Sequence, residues 1–232
     1  MSTAQALARL GAVAALAGAV VFFVAGLLHP ASADPNDLPA AFAEYAASFH
    51  WVGIHLGQFA GIALAVIALV ALAATFEPGR AAAWAQIGLA GAVAALAVYA
   101  ALQAVDAVSN HVMVHRWAAA SGDARALVYE AAFAVRQIEV GLASLFSLLL
   151  GSTLITFGIA MHLSARYPTW LGGLSLLGGL GIVAAGLEQA YNGFSALALN
   201  LSMMAGFVAL LWIVITGCLM WRLAPQLGSD AT

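Results

Sequence analysis

The chain has 232 residues, 64% of them hydrophobic and only 7% charged, with a formal net charge of −3. Soluble domains carry about a quarter charged residues, so a water-soluble globule is excluded. No basic tract occurs, which excludes nucleic acid as a partner.

Apolar runs recur along most of the chain, and roughly 20 such residues suffice to cross a bilayer. Alternating strand patterns, the mark of a membrane barrel, do not occur. The sequence therefore predicts an all-α polytopic membrane protein, a single six-helix bundle embedded in a lipid bilayer. The lone cysteine, Cys218, rules out a disulfide within one chain.

The first predicted span covers residues 7–28 and stops at "HP". Its apolar stretch, followed by "HPASAD", has the look of a signal peptide, but it is long for a signal core and reads as a retained helix. A polar loop follows, with a short amphipathic helix expected over 38–49. Span two covers 51–76 and ends at the turn "EPGR", where proline and glycine both break helices. Span three covers 81–105 and continues as helix through Trp117. "SGD" at 121–123 breaks the chain and offers a helix N-cap.

A helical pattern then runs over 124–164, roughly 60 Å at 1.5 Å per residue, about twice the hydrocarbon thickness. Its membrane part is expected at 140–161. The third and fourth helices should therefore project from the outer side. Spans five and six are expected at 170–187 and 197–221.

With six spans, both termini share a side. That side carries Arg9, Arg80, Arg166 and Arg222, against the acids Glu77 and Asp230. The other carries Arg116, Arg125 and Arg136. The positive-inside rule puts the termini in the cytoplasm, as expected for a protein of the bacterial inner membrane.

This topology sends His29, His50, His55, His111 and His115 to the outer side and leaves only His162 on the inner side. Gln58, Gln103, Asp106, Asn110, Arg136, Glu139, Glu188 and Asn192 join them. Ionisable residues at membrane depth tend to face the bundle interior and are functional candidates by default. At about 100° per residue, His55 shares a face with Gln58 while His50 points about 140° away. His111 and His115, four apart, share a face; Gln103, Asp106 and Asn110 form an adjoining one.

A histidine pair joined by His55, with Asp106 or Glu139 as a further ligand or orienting acid, would suit a transition metal such as Cu, Zn or Fe. The competing reading puts His111 and His115 in the headgroup region with no ligand role. Non-covalent haem b is a variant, clamped by His55 and His111 with Arg136 and Asn192 nearby; no C-x-x-C-H attachment exists. Arg136 and Glu139, three apart, are also read as an ion pair that pins helices. Glu188, with no cation near it in sequence, and Asp106 are the candidate catalytic acids. Glu188 is the candidate proton carrier, because burial favours a neutral carboxyl.

In layout, and in phrases such as "LHP" and "YPTWLGGLSLLGGLG", the chain resembles a group of small multi-helix bacterial membrane proteins of unassigned function. The resemblance implies a membrane bundle and carries over no functional residue. Three functions are expected: a metal or haem site of a membrane oxidoreductase, a proton-coupled transporter or small-ligand binder, or an accessory subunit docked to another membrane protein or to its own copies. Against transport, the inner halves of the helices lack polar groups.

Overall fold

The computed structural model describes residues 2–227, so Asp230 lies outside the described residues. Eight α-helices are formed there, with no strand: α1 (Thr3–Leu28), α2 (Leu38–Ala47), α3 (Trp51–Ala73), α4 (Arg80–Gln103), α5 (His111–Ala119), α6 (Gly122–Leu163), α7 (Thr169–Asn192) and α8 (Ala196–Leu223). Between α4 and α5 the chain continues without a break as a π-helix, Ala104–Asn110. Counting α4 to α5 as one rod, six helices are long and apolar enough to cross a membrane. The chain is a multi-pass membrane protein.

Local chemistry sets the ends of these helices. Ser2 and Gln5 form a reciprocal capping box on α1, and the Ser195 hydroxyl accepts from the Ala198 amide at the start of α8. Gly79 opens α4 at φ 129°, a conformation side-chain-bearing residues rarely adopt, which fixes the tight turn between spans two and three.

The six spanning rods close into a ring in which α1 packs on α3, α3 on α4, α4 on α6, α6 on α7, α7 on α8, and α8 back on α1. Between helices in lipid, association rests on close packing and interhelical hydrogen bonds rather than on the hydrophobic effect. The α6–α7 contact shows both. A Cβ on Gly151 would lie 2.6 Å from the Gly179 carbonyl oxygen, so only glycine permits this approach. Ser144 and Ser175 donate across the same seam to the carbonyls of Gly186 and Leu154, at 2.8 and 2.7 Å.

Outside the ring at one end, α2 lies on α5, and α5 on the N-terminal half of α6. Phe42, Tyr45, Trp51, Val114, Trp117 and Ala132 give this cap its own small core. That core explains how α6, 42 residues long, extends past the bilayer without losing its packing. At the opposite end Tyr167 bonds to Thr75, and Arg166 pairs with Glu77 at 3.3 Å, tying the two turns at that end together.

Candidate functional site

The cap roofs a chamber of about 310 Å³ whose walls come from the end of α1, the start of α3, the α4–π junction and α6. His55, one turn into α3, is fully buried beside that wall. Its Nδ1 lies 2.7 Å from the Trp51 carbonyl, which can only accept, so Nδ1 carries a proton. Its Nε2 lies 3.0 Å from Asp106 Oδ2. Two states fit this geometry: an imidazolium facing a carboxylate, or a neutral ring accepting from a carboxylic acid. Either way the pair holds one proton between Nε2 and Oδ2.

The π-helix is what presents Asp106. Such widened turns recur at functional sites, and this one puts the Asp106 carbonyl 3.0 Å from the donating Trp51 indole and its carboxylate on His55. Asn110, a turn further on, donates from Nδ2 to Asp106 Oδ1 at 3.5 Å and to Glu139 Oε2 at 3.2 Å. Glu139 in turn accepts from Arg136 at 2.5 Å, and Arg136 donates on to the Tyr45 hydroxyl at 3.2 Å. One continuous hydrogen-bonded chain thus runs from Tyr45 in the cap to the Trp51 carbonyl in α3.

Charge is balanced along it. Arg136 and Glu139 are both nearly inaccessible and satisfy each other, as buried ions must. Burial pushes the Tyr45 hydroxyl above the ordinary phenol range, so it stays neutral while accepting from Arg136. His29 sits against the His55 and Trp51 rings, with centroids 5.1 and 5.3 Å away, and donates from Nδ1 to the Pro30 carbonyl. Burial, and next the proximity of His55, hold its pKa below the usual histidine value.

The residues singled out in the sequence are distributed unevenly. His55, Asp106, Asn110, Arg136 and Glu139 converge, and of these Asp106, Arg136 and Glu139 line the chamber together with Gln58 and Gln103. His55 meets the aspartate face of the third span and not the histidine face. His111 and His115 contact each other edge-on at 4.3 Å, and His115 is exposed. Glu188 accepts from the Ser195 hydroxyl at 2.9 Å near the α8 cap, and Asn192 is exposed; neither lines the chamber.

For a metal the fit is poor. Among the described residues no three His, Cys, Asp or Glu side chains gather as a ligand set. His55 already has both ring nitrogens on protein partners, so a Cu, Zn or Fe ion, or the iron of haem b, would have to displace Asp106 from it. The residues present fit neither group.

Sequence reasoning missed His29, Tyr45 and Trp51. His29 read as a helix-end residue before Pro30, and Tyr45 belongs to the loop helix. The available signal was the period of α2, which puts Phe42 and Tyr45 on one face, both buried. Compared with protein-family models, curated proteins and solved structures, the chain matches none.

Proposed function

We propose that this chain is a multi-pass protein of the bacterial inner membrane whose periplasm-facing chamber binds a small molecule and exchanges a proton with it through His55 and Asp106. The observation that carries the reading is the shared proton: a buried imidazole bonded through Nε2 to Asp106, and Asp106 lines a cavity large enough for a ligand. A group that can give up or take a proton without a change in the protein's fold is what such chemistry requires.

The orientation rests on the arginines. Arg136 is consumed by its buried pairing with Glu139, which leaves Arg116 and Arg125 at the chamber end against Arg9, Arg80, Arg166 and Arg222 at the other. That margin favours termini in the cytoplasm. Binding is preferred to proton-coupled transport because the space beneath the chamber is walled by apolar side chains such as Phe22, Leu150 and Trp212, with no polar relay toward the far end.

The test is ¹⁵N NMR of histidine-labelled protein in lipid nanodiscs, with His55→Ala used to assign the signal. At neutral pH the His55 ring is expected to show Nδ1 protonated and Nε2 protonated or sharing its proton. Asp106→Asn should convert it to a neutral ring with an unprotonated Nε2. A native ring protonated on Nδ1 alone, with the Asp106 carboxyl ionised by ¹³C NMR, would leave no shared proton and overturn the proposal.

A further inference from the structure

Directly beneath the polar chamber, inside the helix ring, lies a second cavity of about 320 Å³. Ala143 of α6 belongs to the walls of both. The lower cavity is apolar except where it approaches the chamber, and there Ser147, Gln189 and Ser202 satisfy one another through bonds of 3.3 Å. A molecule using both spaces must therefore be an amphiphile, polar toward the outer surface and apolar toward the bilayer centre.

The chamber's own chemistry narrows the polar end. Gln103, only 7% exposed, lines the chamber and its Oε1 has no hydrogen-bond partner. Asp106 and Glu139 add carboxylate oxygens to the same wall. An unpaired buried acceptor is costly, and a ligand that donates a hydrogen removes that cost. Cationic recognition is absent by contrast: Arg136 is matched by Glu139, and His55 by Asp106. A phosphate head group would find no uncommitted positive charge among these lining residues. Five rings, His29, Tyr45, Trp51, Tyr99 and Phe194, wall the chamber, and flat faces of this kind suit a planar aromatic group.

We propose that the two cavities form one site for a membrane-soluble amphiphile, a hydroxylated aromatic head in the chamber with its apolar tail in the cavity beneath. A hydroquinone bearing an alkyl chain has this chemistry. The head donates to Gln103 Oε1 and meets the His55–Asp106 pair, and the tail runs past Ala143 between α1, α3, α7 and α8. This assignment deepens the ligand-binding reading above and rests on it.

The test uses the full chain in nanodiscs, with binding followed by intrinsic tryptophan fluorescence, since Trp51 and Trp212 wall the two spaces. The probes are decylhydroquinone kept reduced, hydroquinone without a tail, and 1-decanol, each corrected by empty nanodiscs. Decylhydroquinone should bind saturably and at least tenfold more tightly than either of the others. Gln103→Leu should weaken it about tenfold, with thermal melting of the unliganded variant checking that the fold survives. Gly206→Leu fills the lower cavity: Gly206 lines it and a Cβ there meets no atom within 4 Å. That variant should weaken decylhydroquinone and leave hydroquinone unchanged.

Equal affinity for hydroquinone with and without its tail overturns the two-cavity site. Decanol binding as tightly as decylhydroquinone, and equally sensitive to Gly206→Leu, makes the lower cavity a lipid-chain slot and also overturns it. An unchanged affinity in Gln103→Leu overturns the head assignment. The His55 NMR signature is read separately: no saturable binding with that signature intact defeats this inference alone, whereas its loss defeats the proton-exchange reading beneath it.

Discussion

Asp106 Oδ2 lies 3.0 Å from His55 Nε2 while the Asp106 main-chain carbonyl accepts from the indole of Trp51. Residue 106 thus grips α3 twice, once by side chain and once by backbone, four residues apart on the partner helix. A regular α-helix through 104–110 would set the side chain and the carbonyl of Asp106 differently toward α3; the π-helix is the local feature that accompanies both bonds. The site is held by the seam between spans two and three, and α6 and the cap close over it.

Asp106→Ala should destabilise the protein by about 1–3 kcal/mol, since it strands His55 Nε2 and one Asn110 hydrogen in a buried place. Asp106→Asn should cost less, because its amide donates to a neutral Nε2 without a change of shape. Thermal unfolding in one detergent, compared among the three proteins, checks the order. Asn and Ala variants of equal stability would show that the hydrogen bond contributes nothing to the fold.

The Arg136–Glu139 pair is buried on both sides. Glu139→Gln or Arg136→Met alone should each cost about 3–5 kcal/mol, because each leaves an uncompensated buried charge. The double variant should be more stable than the sum of the two losses implies. A double-mutant cycle measures this coupling, and simple additivity would refute it.

How much of this is legible in the sequence divides along physical lines. The spans follow from hydropathy, which acts over some twenty residues, and the long α6 follows from an unbroken helical period. That the polar residues share one end of the bundle follows from connectivity alone. Which polar residue meets which does not. On α7 the sequence groups Glu188 and Asn192 with the inward-facing polar residues, yet the buried edge runs Gly178, Ile182, Ala185 and Gln189. A drift of one residue over two turns turns Asn192 outward. The π-helix at 104–110 has no sequence signature, and the cap residue Tyr45 joins the site only through tertiary packing. The metal and haem expectations depend on how α3 is rotated against α4, which sets His55 on Asp106 and which the period of a single helix does not give.

Replacing His111 and His115 together by alanine tests that separation. His115 is exposed and His111 Nδ1 is buried without a hydrogen-bond partner, so the double variant should change stability by no more than about 0.5 kcal/mol. It should also leave the His55 NMR signal and decylhydroquinone affinity unaltered. A shift in either would place the histidine face within the site after all.

His29 gives the site a pH dependence of definite sign. It lies outside the spanning helices, and burial, then His55, lower its pKa from the ordinary 6.5, with Asp106 and the Pro30 carbonyl acting the other way and Arg136 adding to the lowering. The folded state therefore binds this proton more weakly than the unfolded chain does. Its contribution to stability is fully present above pH 6.5 and is lost as acidification first protonates the unfolded form. Melting temperature should accordingly fall between pH 7 and pH 5 in the native protein. His29→Phe keeps a ring against Trp51 and removes the titration, so its fall should be smaller by about 2–4 °C for each kcal/mol that His29 contributes. The slopes are compared and not the absolute values, because the substitution also changes the packing against Trp51 at every pH. Parallel curves for the two proteins would mean that His29 keeps its ordinary affinity for the proton in the fold, and with it that the cap does not exclude water from the wall of the chamber it roofs.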